Sequence, residues 1–416
     1  MKRSLIAVTS SGILACLAMT AAAQSTEASV SIPERQTLTN RWFGLGEQAE
    51  SAGVTADLGL TQLYQINLNT GRGLMTHRHS GRWTGSYDLN VELDFGKILG
   101  LTGGVFSISA EGSWSDGLDA SSVGSLFGVN GDAGGNRSID VTESYYQQTL
   151  LNDQVTIGVG KLDLSNWFDG NALANDETAQ FIHGALVNNP TIPFPENGLG
   201  GVVMIMPTDA WYVAVGAADA QADYRKTGFS TAFHDEDAFI AMLETGYTPK
   251  LGLWGQSLAG AYRAGMWYDP QDKAYNDAKR IGTKNDDLGW YLSFDQMVWN
   301  ENSDDDGQGL GLFMRAGWTD DEVNTLATFW SFGGQYQGVI PSRDNDVLGL
   351  GVAQGNLSPE IDLDSRQKET AVELYYNVAV TPWCHVTPNV QWVDNPGADG
   401  SVADAVVLGI RAQITF

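Results

Sequence analysis

The chain has 416 residues, with 50 Asp and Glu against 23 Lys and Arg and a formal charge of −27. That acidity argues against nucleic-acid binding, which needs a basic face, and 43% hydrophobic with 10% aromatic residues argues against a disordered polyelectrolyte. A mean hydropathy of −0.17 looks water-soluble, yet a transmembrane barrel averages the same way because lipid-facing and lumen-facing residues alternate.

Residues 1–23 read as a cleavable signal peptide. Lys2 and Arg3 open it, Leu5 to Met19 is apolar, and Ala21-Ala22-Ala23 offers the small-residue cleavage site. The apolar run is too short for a spanning helix. It continues past Cys16, whose surroundings loosely match a lipoprotein box, so cleavage is placed after Ala23. Removal takes the charge from −27 to about −29 and leaves Cys384 as the one cysteine, so no intrachain disulfide is expected. Residues 24–52 form a periplasmic or plug-like lead, in which Thr39 to Glu50 is either a short helix or extended. The barrel is expected over 53–416.

From there, stretches of about ten residues alternate apolar and polar side chains, separated by Gly, Asn, Asp and Pro. Trp83 to Phe95 is the clearest. Trp83, Tyr87, Leu89, Val91, Leu93 and Phe95 share one face, and Asp88, Asn90, Glu92 and Asp94 share the other. Similar segments fall at 54–67, 103–114, 139–151, 153–162, 199–207, 210–218, 238–248, 257–268, 288–299, 309–318, 326–338, 346–355, 369–382 and 384–393. The last strand sets Val406, Leu408, Ile410, Ala412, Ile414 and Phe416 against Val407, Gly409, Arg411, Gln413 and Thr415. The pattern predicts an all-β protein: a transmembrane antiparallel β-barrel of about sixteen strands with an aqueous lumen.

The stretch 163–198 is long and rich in Pro, Asn and Asp. A loop of that length is usually functional, and in a barrel its natural place is an inward-folded constriction carrying Trp167, Phe168, Asp169 and Asn171, with Trp167 either lining the constriction or anchoring the loop to the wall. By strand parity Asp88, Glu92, Glu111, Glu244, Asp295 and Glu373 face the lumen, as do Arg263, Arg315 and Arg411. They are read as opposed acidic and basic walls, with solvated structural ion pairs as the plainer alternative. Trp267, Trp299 and Tyr375 share the inner parity, as a greasy slide or as packing near the rims. Arg72, Arg78 and Arg82 reach either the constriction or lipopolysaccharide. Acidic loops at 300–308 and 319–322 are placed outside the barrel.

Other signals carry less. Asn302 to Gly307 resembles the start of a calcium loop, but Phe313 stands where a Glu is required. His77-Arg78-His79 lacks a third ligand in sequence. Gly255-Gln256-Ser257-Leu258-Ala259 is one residue short of a nucleophile elbow and precedes a strand. No catalytic residues, metal or cofactor are assigned.

Four blocks resemble the carbohydrate-selective porins of the OprB family. They are Arg41-Trp42-Phe43-Gly44 through Val54; Leu89 to Gly104; Gly160-Lys161-Leu162-Asp163 through Asn166-Trp167-Phe168-Asp169 to Gln180-Phe181; and Tyr375-Tyr376-Asn377 through Thr381-Pro382-Trp383 to Gly409-Ile410-Arg411. Gly-Lys stands where many members carry Gly-Arg. The resemblance implies a sixteen-stranded outer-membrane barrel of a Gram-negative bacterium admitting monosaccharides such as glucose, without catalysis. The alternative is a general cation-preferring porin, and an outer-membrane barrel enzyme is the distant third reading. Expected partners are small sugars, outer-membrane lipid and lipopolysaccharide, and the barrel-assembly machinery through Phe416; nucleic acid is not among them. Homotrimer and monomer both stay open.

Overall fold

The computed structural model describes residues 31–69, 81–234, 238–302, 307–363 and 367–416. The signal peptide, Arg72, the His77-Arg78-His79 motif and the centre of the calcium-like stretch lie outside these residues.

Among the described residues, sixteen strands close one antiparallel barrel. They are β1 (Val54–Asn67), β2 (Arg82–Asp94), β3 (Gly104–Trp114), β4 (Arg137–Leu150), β5 (Val155–Leu162), β6 (Gly198–Thr208), β7 (Trp211–Asp219), β8 (Phe239–Tyr247), β9 (Gln256–Asp269), β10 (Asp287–Asn300), β11 (Gly309–Trp318), β12 (Leu326–Gln337), β13 (Val347–Leu357), β14 (Lys368–Thr381), β15 (Cys384–Asp394) and β16 (Ala405–Thr415). Each pairs with the next. β16 returns to β1 from Gly59↔Thr415 to Asn67↔Val407. β8 resumes after Pro249 as Lys250–Leu253 against the start of β9. Every predicted strand is present.

The alternation sorts the two faces. Val215, Leu243, Leu350, Leu374, Leu408 and Ile410 point outward and are exposed on the isolated chain, whereas Val407 and Arg411 on β16 point inward and are buried. Two aromatic girdles bound the apolar band. Trp83, Trp290, Trp318 and Trp392 ring one end. At the other, Phe95 stacks on Phe106, Tyr262 packs on Phe294 and Trp299 on Tyr336. Long connections (115–136, 163–197, 220–238, 270–286) leave the first end, and tight ones (151–154, 209–210, 382–383) the second. The first end therefore faces outward and the second the periplasm.

The described ends of the acidic 300–308 connection lie at the periplasmic end, outside the lumen. One expectation is corrected. Trp299 is on the outer face, because a register shift between Met297 and Trp299 adds one residue and reverses the parity.

The lead runs along the periplasmic rim. Asn40–Phe43 form one left-handed turn, with φ between 52 and 61°, followed by α1 (Leu45–Ser51), so the helical alternative holds. Leu38 N–H donates to Thr415 O at 2.8 Å, the Trp42 indole to Ala56 O at 2.7 Å, and the Trp383 indole to Ile32 O at 2.8 Å. The β2–β3 connection is a short helix, α2 (Phe95–Leu99), capped by the Asp94 carboxylate accepting from Lys97 N–H at 3.1 Å.

The lipid-facing assignment is testable on β14. Leu374→Arg is expected to cost roughly 2–4 kcal/mol in reversible unfolding from phospholipid vesicles, since the arginine would sit near mid-bilayer. A cost no greater than that of Leu374→Ala would place this face out of lipid.

Candidate functional site: the lumen and its inward loops

The β5–β6 loop (163–197) folds into the barrel because it carries two apolar clusters that the inner wall receives. Leu164, Phe168 and Ile192 bury against Met242, Trp267 and Tyr291. Phe181, Leu186 and Val187 bury against Phe313, Phe329 and Tyr375, with Phe181 edge-on to Tyr375 at 5.0 Å. Gly289 makes room for this packing, as a Cβ there would meet the Trp267 ring at 2.3 Å.

Charged wall residues then fix the backbone between the clusters. Arg315 on β11 forms an ion pair with Asp169 at 3.0 Å. Its guanidinium also donates to Asp169 O at 3.0 Å, to the Asn175 amide oxygen at 2.7 Å and to Ala174 O. Glu244 on β8 accepts from Asp169 N–H at 2.8 Å and from the hydroxyls of Tyr212 and Tyr291 at 2.7 and 2.9 Å. Glu373 on β14 accepts from the N–H groups of Ile182 and His183 at 3.0 and 2.8 Å. Arg411 on β16 donates to Glu177 O at 2.7 Å and Gln180 O at 3.0 Å. Such charge-assisted bonds are the stronger class, and they satisfy carbonyls and amides that a buried loop would otherwise leave unpaired.

A second inward loop, 115–136 between β3 and β4, escaped sequence reasoning. Glu369 accepts from Ser125 Oγ at 2.5 Å and Leu126 N–H at 2.8 Å. Gln65 and Gln391 both donate to Val129 O, at 2.8 and 3.0 Å. Leu118, Val123 and Val129 bury against Val393, Ala405 and Val407. The two loops interlock through Gly131 N–H to Ile182 O at 2.8 Å and Gly184 N–H to Gly128 O at 3.0 Å. The available signal was Leu118, Val123, Leu126 and Val129 inside an otherwise Gly-, Ser- and Asp-rich connection.

Several sequence-predicted roles change accordingly. Arg315, Arg411 and Glu373 do not line open water; each is buried under the β5–β6 loop and holds it, and Asp169, on the loop itself, is buried against Arg315. Trp267 and Tyr375 are packed in its apolar clusters. Trp167 is a half-buried wall anchor, edge-on to Tyr145 at 6.1 Å and close over Gly158, where a Cβ would stand 2.8 Å from its ring. Arg263 is tied to Asp295 at 2.7 Å. Lys161 shares the outward parity of exposed Ile157 and Val159. It donates to Val141 O and Lys226 O, both at 2.7 Å, and to Tyr224 O, so the Gly-Lys departure does not alter the lumen.

What stays accessible is acidic. Asp88 and Glu111 sit directly opposite each other on β2 and β3, both only partly buried, and Glu92 is exposed. Thr142 Oγ donates to Glu111 at 3.1 Å. Asp176 and Glu177 approach from the loop. Burial, and then the neighbouring Asp176, Asp88 and Glu111 carboxylates, push the Glu177 carboxyl up to about 7. The expected pair of opposed walls is replaced by arginines committed to the loop or to Asp295, beside an acidic arc that forms no ion pair among the described residues.

Comparison with known proteins agrees with this architecture. A family model described as carbohydrate-selective porin, OprB family, matches residues 78–416. Porin B of Pseudomonas aeruginosa is 25% identical over 382 residues, 81% of this chain and 82% of that protein. The high-pH structure of Pseudomonas putida OprB superposes with a TM-score of 0.80 at 22% identity, covering 92% of this chain and 99% of that one. The low-pH structure of the same protein gives 0.60 at 21% identity over the same shares. With the family model spanning the barrel from before β2 to its last strand, the chain belongs to the carbohydrate-selective porin family and is an outer-membrane carbohydrate porin.

Proposed function

We propose that this porin passes monosaccharides such as glucose by passive diffusion, along the acidic arc between the β2–β3 wall and the two inward loops. The observation that carries the reading is the division of labour among lumen charges. Arg315 and Arg411 are consumed by loop carbonyls, while Asp88, Glu92 and Glu111 remain open. Carboxylates accept hydrogen bonds from hydroxyls, and a sugar offers several in weak, exchangeable contacts. The uncovered part of the Trp167 ring supplies an apolar face beside them. Contacts must stay weak for exit, and the solute leaves chemically unchanged, as a channel rather than an enzyme requires.

The same arc favours a second reading, a general preference for cations, because carboxylates without an ion pair among the described residues raise the local cation concentration. Further parts of the proposal concern assembly and surroundings. Residues 1–23 direct export, 24–52 form the periplasmic lead, and 53–416 insert as the barrel. Phe416 addresses the barrel-assembly machinery, and lipid and lipopolysaccharide meet the two girdles. Monomer and homotrimer are both compatible with a pore contained in one chain.

Single-channel conductance of the refolded protein, titrated with glucose, separates the two readings. A saturable fall in ion current, weakened by Glu111→Gln and by Trp167→Ala, is the expected result. Unchanged current with a clear cation preference would leave only the general porin.

The loop anchors make a different prediction. Arg315→Met breaks a buried ion pair and should cost about 3–5 kcal/mol. If the barrel still folds, its conductance should rise and a disaccharide should pass in liposome swelling; an unaltered size limit would mean Arg315 does not hold the constriction.

Selectivity should also follow pH. Glu177 titrates near 7, neutral below and charged above. Reversal potentials in a salt gradient are expected to show stronger cation preference at pH 8 than at pH 6, and Glu177→Gln should flatten the difference.

A further inference from the structure

The periplasmic rim beneath β1–β5 presents six apolar side chains that the barrel leaves uncovered. Phe43 (81% exposed) and Leu45 (52%) belong to the lead, Ile98 (43%), Leu99 (61%) and Leu101 (50%) to the β2–β3 connection, and Leu151 (69%) to the β4–β5 turn. These segments are joined to one another. Lys97 Nζ donates to Glu50 O at 2.7 Å, and Gly53 lies so near Ile98 that a Cβ would stand 2.9 Å from it. Thr149 N–H, just above the β4–β5 turn, donates to Gly103 O at 2.9 Å. The lead is fixed in place by Trp42 on Ala56 and by Leu38 on Thr415.

The patch also runs without a break into the lipid-facing belt. Phe95 opens α2 and stacks on outward-facing Phe106, with ring centroids 6.3 Å apart, and approaches Tyr146 at 5.7 Å. Ile98 and Leu99 follow it on the same short helix. Apolar surface this contiguous marks an interaction site, and continuity with the girdle points to lipid as the occupant. We infer that the lead and the β2–β3 connection form an interfacial apron that dips into the inner leaflet of the outer membrane beside the barrel. Phe43, Leu45 and Leu99 enter the glycerol and upper acyl region, while Glu47, Gln48 and Ser51 of α1 stay with water, as in helices that lie in an interface.

A fluorescent reporter tests this in the full barrel. In a Cys384→Ser background, Phe43→Cys and, separately, Leu45→Cys carry an NBD label, and Asp344→Cys, at an exposed acidic position of the periplasmic β12–β13 connection, is the reference. The proteins are refolded into phosphatidylethanolamine–phosphatidylglycerol vesicles. The expected result is blue-shifted emission at both lead sites, quenched by doxyl groups placed high on the acyl chain, with neither effect at position 344. Water-like emission at both lead sites, unquenched by lipid-borne doxyl, would overturn the inference. So would emission that is blue-shifted but unquenched, together with disulfide-linked dimers of unlabelled Phe43→Cys, since the patch would then meet a second copy.

Discussion

Backbone hydrogen bonding in lipid is the constraint from which the rest of this molecule follows. An N–H or C=O that cannot reach water in the bilayer core must find a partner in the protein, and strands achieve this only by closing. Closure through β1 and β16 fixes a sheet whose inner face encloses more space than its own side chains fill. That space would be an open water-filled bore if nothing entered it. The two inward loops turn the bore into a selective path, and they inherit the same problem one level down. Loop backbone taken out of bulk water has no ladder to join, so the wall must supply its partners side chain by side chain.

Wall charges are the solution adopted here. Arg315, Arg411, Glu244, Glu369 and Glu373 each meet loop backbone groups. Buried charges are costly to desolvate, and well-packed apolar residues often stabilise as much. What charges add is position: a guanidinium that must reach Asp169 O and the Asn175 amide oxygen together, or a carboxylate that must accept from both Ile182 and His183, admits one loop register. The apolar clusters around Phe168 and Phe181 provide attraction of little directionality. The ionic anchors decide where that attraction comes to rest, and hence the width of the remaining path.

This hierarchy explains what the sequence disclosed. Period-two alternation is a local signal, repeated in every strand because lipid lies on one side and the lumen on the other, and it located all sixteen strands, including those near 139–151 and 326–338. Parity also placed Arg315, Glu373 and Arg411 on the inner wall. It could not say whether they would face solute or be covered, since their partners at Asn175, His183 and Gln180 lie roughly 140 to 230 positions away in the chain. The β3–β4 loop was missed for the same reason: its burial depends on Val393 and Val407 on β15 and β16, far away in the chain. Trp299 was misplaced because one extra residue in a bulge reverses everything beyond it, and bulges leave no mark on the composition of a strand.

Once the arginines are spent, the acidity of the path has a physical reading of its own. On the proposed sugar path a neutral solute gains little from a net field, but each hydroxyl can donate to a carboxylate in place of water, so exchange along Asp88, Glu111 and Glu92 would replace one set of hydrogen bonds with another of similar strength. Burial first, and then the neighbouring carboxylates, hold the Glu177 carboxyl up at about 7. On that reading selectivity rests on shape and hydrogen-bond exchange along the arc. The field remains as a bias against anions, and that bias is the feature most open to change, because the arc carboxylates bear less of the load of holding the loops.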